Sequence, residues 1–511
     1  MGNSRFLRSA SVRANRETQL VMALASFAFI RVFAFSSTLP FFNGIDEHLH
    51  FDLVQKYARG FLPGPGDATF DAITIGFIAE YGSPEYLRGP EAYESGRVPT
   101  PEEMRAEHPL GSPAYRTLVR KYTKLTNLEA EAPPAYYALG GAWMKLGRML
   151  GLERAQLLYW IRWLNPLLAA AVVLLTYQFV RPRCPGDAFR RLGPCVFLAG
   201  YPSDLQYGVT PDVLSIGLGA LCFFGLVRMR EAPRRIVVSI ATGLVIGLAF
   251  LNKYPNVIFA GVAFVLFLMA LREASRPRAL RWELLHWSLL GLAAAGPALW
   301  WLERNLRLLG SVTGAHRKVE AMGWSYNGLE QILAHPILGV RGWFEFVPTL
   351  LNTFWQGEFG WHGKSTHDGA VDAMYTTTSL VFLGAALVDW LRAGRAGRSA
   401  LRPEGIALLV LGASIAVLAG LSTLFDYGRE EGPLSRAFPY FASGRLIAGA
   451  VVPFAIVYCN GIERVWSRAP APWAQRGPWL VLCAVLAIAL GWQLAVFHDA
   501  FWSSWNWYNA S

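Results

Sequence analysis

The chain has 511 residues, of which 53% are hydrophobic and only 16% are Asp, Glu, Lys or Arg, where soluble domains carry about 25% charge. A soluble core of this length cannot hide so much apolar surface, so the bilayer must solvate much of it; a disordered chain and a disulfide-rich secreted scaffold are excluded too. The formal charge of +11 invites a nucleic-acid reading, but 23 of the basic residues fall in six short stretches (5–16, 181–191, 228–235, 272–281, 392–402 and 464–476) between or before apolar runs, the pattern of cytoplasmic loops and not of a nucleic-acid surface.

In chain order, a basic cytoplasmic segment (1–18) precedes an apolar run at 19–38 that lacks a small-residue cleavage site and reads as an uncleaved signal anchor. A long segment follows, 39–156. Its part 43–134 carries 14 acidic against 9 basic residues, so it is assigned to the external side. Pro and Gly interrupt it, which predicts short helices and loops lying on the membrane rather than a globular domain. The stretch 135–150 reads as an interfacial helix with Lys145 and Arg148 reaching to the headgroups. Its alternative is a twelfth span with a compensating re-entrant element.

Further runs of spanning length lie at 157–180, 192–209, 212–229, 235–251, 254–271 and 282–302, and after a second external segment (303–372) at 373–392, 404–425, 443–462 and 478–497. The fold predicted is an all-α polytopic membrane protein with eleven spans, or twelve to thirteen if 135–150 crosses. Its N-terminus lies inside, and its last residues, 498–511, lie outside. No heptad or repeat is evident. The five cysteines show no metal-binding spacing, and neither long external segment contains one.

The densest polar motif stands just after the first span, in Phe42-Asn43-Gly44-Ile45-Asp46-Glu47-His48-Leu49-His50-Phe51. Two carboxylates and two imidazoles at a membrane boundary suit a general base held near a substrate hydroxyl. A solvated loop and a His-x-His metal site are the competing readings, the latter without a third ligand at recognisable spacing. Lys253 is flanked on both sides by spanning runs, which points to a functional partner or a snorkelling anchor. Arg304 and Arg445 stand at outer span ends, where arginine is also common as a plain anchor. Asp212 sits at another outer corner and could simply cap a helix. The run NTFWQGEFGWHG carries Trp355, Gln356, Glu358, Phe359, Gly360, Trp361 and His362, and Trp343 lies a little upstream. These aromatics suit sugar rings or an interfacial aromatic belt equally. Under the charge-derived topology, Asp46, Glu47, Lys253, Arg304 and Arg445 share one membrane face. Carboxylates with cations there suit a hydroxyl nucleophile and an anionic leaving group.

In this ordered set the chain resembles the GT-C superfamily of integral-membrane glycosyltransferases, in particular the ArnT and protein-mannosyltransferase-like members. The carrying motifs are the Asp-Glu pair with a following His (Asp46, Glu47, His50), Pro-Pro-x-x-Tyr (Pro133, Pro134, Tyr137), the Pro-Asp corner (Pro211, Asp212) and Gly-Leu…Lys-Tyr (Gly247, Leu248, Lys253, Tyr254). Later come the Trp…Arg-Asn exit (Trp301, Arg304, Asn305), the Trp…Phe-Gly-Trp loop (Trp355, Phe359, Gly360, Trp361) and Gly-Arg (Gly444, Arg445). The chain departs from some members in lacking a WWDYG-type oligosaccharyltransferase signature and a large soluble domain after the last span, which disfavours transfer of a whole oligosaccharide to Asn.

The resemblance implies an inverting enzyme that moves one sugar from a polyprenyl-phosphate donor to a hydroxyl of an envelope lipid, glycan or protein. The active site would face the periplasm from a bacterial inner membrane. By the same resemblance Asp46 is the base, Glu47 orients it or the acceptor, and Lys253, Arg304, Arg445 and His50 meet the donor phosphate. Trp355, Glu358, Trp361, His362 and Asp212 are candidates for the substrate loop. No metal is required, although some relatives bind a divalent ion at carboxylates matching Asp46 and Glu47. No nucleic-acid partner is expected. A transporter or flippase of lipid-linked sugars and a membrane glycan polymerase or ligase are the alternative readings.

Overall fold

The computed structural model describes all residues except 1, 44–45, 65–67, 84–99, 108, 110, 232–234, 275, 362–363, 396–401, 433 and 507–511, and the side chains of 2–14, 364 and 395 are also left aside. His362, Arg234 and Arg398 therefore lie outside the described residues.

Each of the eleven apolar runs contains helix, though one of them only in part. Among the described residues eight helices are long and apolar enough to cross a membrane: Asn15–Thr38, Arg154–Val180, Asp212–Glu231, Tyr254–Glu273, Gly369–Gly394, Pro403–Leu424, Gly444–Trp466 and Ala471–Phe501. The run at 235–251 becomes the shorter helix Ile236–Asn252, and the run at 282–302 lies inside the 33-residue helix Pro277–Leu309. The architecture is an all-α polytopic membrane fold.

The run at 192–209 departs from expectation. Its helix covers only Ala188–Gly200. Tyr201 turns to extended backbone before Pro202, a residue that cannot donate to a helix, and a short 3-10 turn then spans Asp204–Gln206. Leu205, Tyr207 and Val209 are buried in this irregular stretch, so hydropathy alone reads it as span.

The segment 39–156, expected on the external side, contains short helices, as its Pro and Gly content predicts: Ala72–Tyr81, Pro101–Glu107 and Pro113–Tyr122. Ser112 caps the last of these by accepting from the Tyr115 N–H at 3.0 Å, with Pro113 opening the helix, a favoured start. Ahead of them lies the Glu47–Ala58 helix, with Glu47 in its first turn and Lys56 in its last, charges that complement the helix dipole. The buried carboxylate of Asp52 anchors this helix. It pairs with Lys56 at 2.6 Å and accepts from the Asp71 N–H and the Asn127 amide, both at 2.9 Å.

The helix Ala135–Met149 packs along Glu47–Ala58. At Gly141 an added Cβ would lie 2.8 Å from the Ala58 nitrogen, so only glycine permits that approach. Tyr136, Tyr137 and Tyr159 join Phe41, Phe42, Leu49 and Phe51 in an aromatic core under this layer. The second external segment contributes the helix Val340–Gln356, and its strand Ser325–Tyr326 pairs antiparallel with Phe425–Asp426. That pairing ties it to the end of the Pro403–Leu424 helix.

Candidate active site

Asp46 forms the turn into the Glu47–Ala58 helix with a left-handed backbone, φ 59°. A non-glycine residue adopts that conformation where its surroundings fix it, often at functional sites. The Asp46 carbonyl accepts from Leu49 and His50 N–H at 3.0 and 3.1 Å. Its carboxylate makes no cap bond to the helix. Instead Oδ2 accepts from the Arg445 guanidinium at 2.7 Å. Burial pushes the Asp46 carboxyl up, but Arg445 at its side, together with the other cationic groups around it such as Lys318, outweighs that and holds it well below the usual carboxylate range.

Glu47 turns the other way. Arg162 grips it through two parallel bonds of 2.7 and 2.6 Å, and its oxygens also accept from the backbone N–H of Phe42 and Val209, both at 3.0 Å. The two side chains are 1% and 2% exposed, so this is a fully buried pair.

Beside Asp46 opens a cavity of about 290 Å3. Asp46, His50, Lys253 and Arg445 all line it, with Glu129, Glu131, Arg317 and Lys318 on its wall. Lys253 reaches it from the joint after Ile236–Asn252, its ammonium bonded to Asp212. Asn252 fixes that joint by donating to the Pro211 carbonyl at 2.9 Å and to Ser215 Oγ at 2.8 Å. Lys318 pairs with Glu129, and Arg317 with Glu131 at 3.2 Å. Burial raises the Glu129 carboxyl, and Lys318 outweighs it to hold the group below its ordinary value. Much of the remaining wall is aromatic, including Tyr254, Trp324, Phe425 and Phe441. Each cation on the wall already faces a carboxylate, so a more highly charged anion would bind by drawing a cation from its partner.

His50 is buried, and its Nδ1 lies 2.9 Å from the Tyr137 hydroxyl. Burial pulls its pKa below the ordinary value, so it meets a guest as a neutral ring. Tyr137, from the Pro-Pro-x-x-Tyr motif, thereby positions His50.

A smaller cavity lies on the other side of Arg445, lined by Glu47, Arg162, Asp204, Asp212, Glu358 and Arg445 among others. Asp204 accepts from the Glu358 N–H at 2.9 Å. Burial, with the Glu358 carboxylate adding to it, pushes its carboxyl up to about 7. Glu358 itself accepts from Ser443 Oγ.

Not every predicted site residue arrives. Arg304 does not line the larger cavity; its guanidinium lies 4.8 Å from the Trp301 ring centre and donates to the Pro63 carbonyl. Trp355 is buried, donates to Ser379 Oγ at 2.9 Å and stacks on Tyr375. Trp361 is packed beside Phe359 and Phe497. Both indoles are core residues here, because the chain turns back at Gly357 (φ 84°) and folds the loop against Asp204. No sugar can stack on them in this arrangement.

Sequence reasoning missed Arg162, Glu129, Asp204, Arg317 and Lys318. Arg162 had a signal, a lone charge inside the apolar run LLYWIRWL. Lys318 had one too, as one of only seven lysines against forty arginines.

The donor set for a divalent ion does not come together. Asp46 faces Arg445, Glu47 faces Arg162 and His50 faces Tyr137. Among the described residues no three His, Cys, Asp or Glu side chains are grouped to hold a metal ion. The arrangement is that of a carboxylate set among paired cations at the edge of a cavity with aromatic walls.

A family model described as "Predicted membrane protein (DUF2142)" matches residues 27–429. The chain is 31% identical over 168 residues to the lipid A galacturonosyltransferase RgtD of Rhizobium johnstonii; the match covers 31% of this chain and spans about a third (33%) of that protein's length. Among solved structures it is similar to the archaeal oligosaccharyltransferase AglB from Archaeoglobus fulgidus in complex with an inhibitory peptide and a dolichol-phosphate. That likeness has 11% identity and a TM-score of 0.44, covering 94% of this chain and 56% of the other. To an apo form of the Archaeoglobus fulgidus oligosaccharyltransferase the identity is 11% and the TM-score 0.41, covering 93% and 55%.

Proposed function

The chain belongs to the DUF2142 family of predicted membrane proteins, and from that premise we propose that it is a membrane glycosyltransferase that uses a polyprenyl-phosphate sugar. The observation that carries the reading is the Asp46–Arg445 pair at the wall of a cavity that also presents Lys253 and Lys318. The partial identity to a lipid A galacturonosyltransferase supports the same class of chemistry.

In the proposed reaction an acceptor hydroxyl attacks C1 of the donor sugar and Asp46 takes the hydroxyl proton. The C1–O bond to phosphate breaks, and the polyprenyl phosphate leaves with both bonding electrons. A single displacement inverts the anomeric configuration. Lys253 and Arg445 meet the phosphate and stabilise the charge that gathers on it in the transition state. His50 contributes a hydrogen bond from its neutral ring. Arg304 is not assigned to the phosphate, because it does not reach the cavity. Glu47 acts on the position of Asp46 rather than on substrate. The acceptor is an envelope lipid, glycan or protein, and the site opens to the external face of a bacterial inner membrane. The scheme requires no metal.

The reading is tested with purified protein, a polyprenyl-phosphate sugar and candidate acceptors, comparing wild type with Asp46→Asn. Loss of a positioned base costs about 10²–10⁴-fold, and a fall of that order in transfer is expected. Transfer by the variant at the wild-type rate, or movement of the lipid-linked sugar with no bond cleaved, overturns it.

A further inference from the structure

We infer that Arg162 is a positioning residue for sugar transfer, holding the Asp46 turn in its working conformation through Glu47. The inference rests on the reading of Asp46 as the base.

The argument begins with the backbone. Four non-glycine residues in the described chain have positive φ, and two of them, Phe42 (64°) and Asp46 (59°), bracket the turn that presents the carboxylate. Such residues relax unless other contacts hold them. Arg162 supplies those contacts at both ends of the turn. On one side it donates to the carbonyls of Ser36, Leu39 and Pro40 at 3.2, 2.6 and 3.1 Å. These are backbone groups at and just beyond the end of the first helix, where carbonyls lack helical partners. On the other side it holds Glu47, whose Oε2 in turn accepts from the strained Phe42. Glu47 also accepts from Val209, in the irregular stretch that succeeds Ala188–Gly200. One guanidinium therefore joins the first helix end, the Asp46 turn and the approach to Asp212.

The pairing is specific to arginine. Five donors in a planar fork reach two carboxylate oxygens and three carbonyls together, which an ammonium cannot do. The pair is fully buried, and buried pairs often add little net stability over apolar side chains. What this one supplies is geometry. Arg162 does not line the larger cavity where Asp46, Lys253 and Arg445 meet, so its effect on the donor is indirect.

The test compares full-length wild type with Arg162→Gln, Arg162→Lys and Glu47→Gln in lipid nanodiscs, by two readouts. In hydrogen exchange, the peptide covering 39–50 should exchange about tenfold faster in Arg162→Gln and Glu47→Gln, while residues 403–415, at the end of the Pro403–Leu424 helix away from the cavity, keep their protection. In transfer assays kcat should fall roughly 100-fold with donor KM within about twofold, as expected when a reacting group is displaced by about 1 Å. The acidic limb of the kcat/KM profile, which reports the donor-free enzyme, should move to higher pH as Asp46 slips from Arg445, and Arg162→Lys should lie between. Unchanged exchange at 39–50, a rise in donor KM with kcat intact, or failure of all three variants to fold overturns the inference. Wild-type protein that transfers no sugar overturns the parent reading instead, and the exchange result still decides the clamp.

Discussion

Arg445 has two tasks that compete. In this structure it holds Asp46 as a carboxylate far below its usual range, which makes Asp46 a weak base. The donor is a phosphodiester with a single negative charge, but the polyprenyl phosphate that leaves gathers a second, and that growing charge would draw the guanidinium away, raising the proton affinity of Asp46 as the C1–O bond breaks. Arg445→Gln removes both effects. Donor KM should rise, and the acidic limb of kcat/KM should move up by about 1–3 pH units, the range over which a neighbouring opposite charge shifts a carboxylate. An unmoved limb would contradict the pairing.

Asp204 gives a second residue-scale prediction. Its carboxyl, raised to about 7, binds a proton more tightly in the folded chain than in the unfolded one. Its contribution to stability is therefore fully present below the ordinary aspartate value near 3.9 and is lost as pH rises through about 7. Asp204→Asn should flatten that decline in the melting temperature between about pH 4 and pH 7; a decline as steep as wild type would contradict it.

Asp46, His50, Lys253 and Arg445 were legible in the sequence because each is a charge or imidazole where the chain leaves an apolar run. Asp204 was not, because a carboxylate just ahead of Leu205, Tyr207 and Val209 disappears into an apolar average. Arg162 left a signal as a lone charge in LLYWIRWL, but its partners, distant in sequence, did not.

At the scale of elements, the site depends on how closely the Asp212–Glu231 helix approaches the Gly444–Ala450 turn. A Cβ at Gly219 would fall 2.1 Å from the Gly449 carbonyl oxygen, far inside contact distance, and neither backbone can yield without moving a helix. This contact sets Asp212, and Lys253 bound to it, beside Arg445. Gly219→Ala should cost about 1–3 kcal/mol by overpacking, read as a lower melting temperature, and should raise donor KM. Normal donor KM in a folded Gly219→Ala protein would detach the site from this contact. The helices that fall on apolar runs were readable from hydropathy. The Val340–Gln356 helix was not expected, since its aromatic and polar residues alternate around a short amphipathic cylinder and fall below any spanning signal. Its presence is why Trp355 points into the core.

For the whole molecule, the charges that fixed orientation in the sequence are found knitted together at one end. Arg183 pairs with Glu231, Arg191 with Glu17, Arg190 with Glu463, Arg230 with Glu273 and Arg464 with Asp389. Ion pairs of this partly exposed kind are worth about 0–1 kcal/mol each, so they mark an end of the bundle more than they hold it. Asp46, Lys253 and Arg445 stand at the opposite helix ends. Single-cysteine labelling tests the orientation: in intact cells a membrane-impermeant maleimide should modify Thr123→Cys and leave Cys184, beside Arg183, unlabelled until the membrane is opened. Labelling of Cys184 alone would invert the assignment. Composition and loop charge were enough to expect these arginines at one end of the bundle. The side-chain pairing inside the cavity was not, because it joins residues separated by as many as 399 positions.

The most direct measurement is a structure of the full chain with a polyprenyl phosphate bound. The expected result is a phosphate between Lys253 and Arg445, with the Arg445–Asp46 pair opened and Asp46 facing the space beside the phosphate. A phosphate bound elsewhere, with Arg445 still on Asp46, would contradict the assignment of this cavity as the place of transfer.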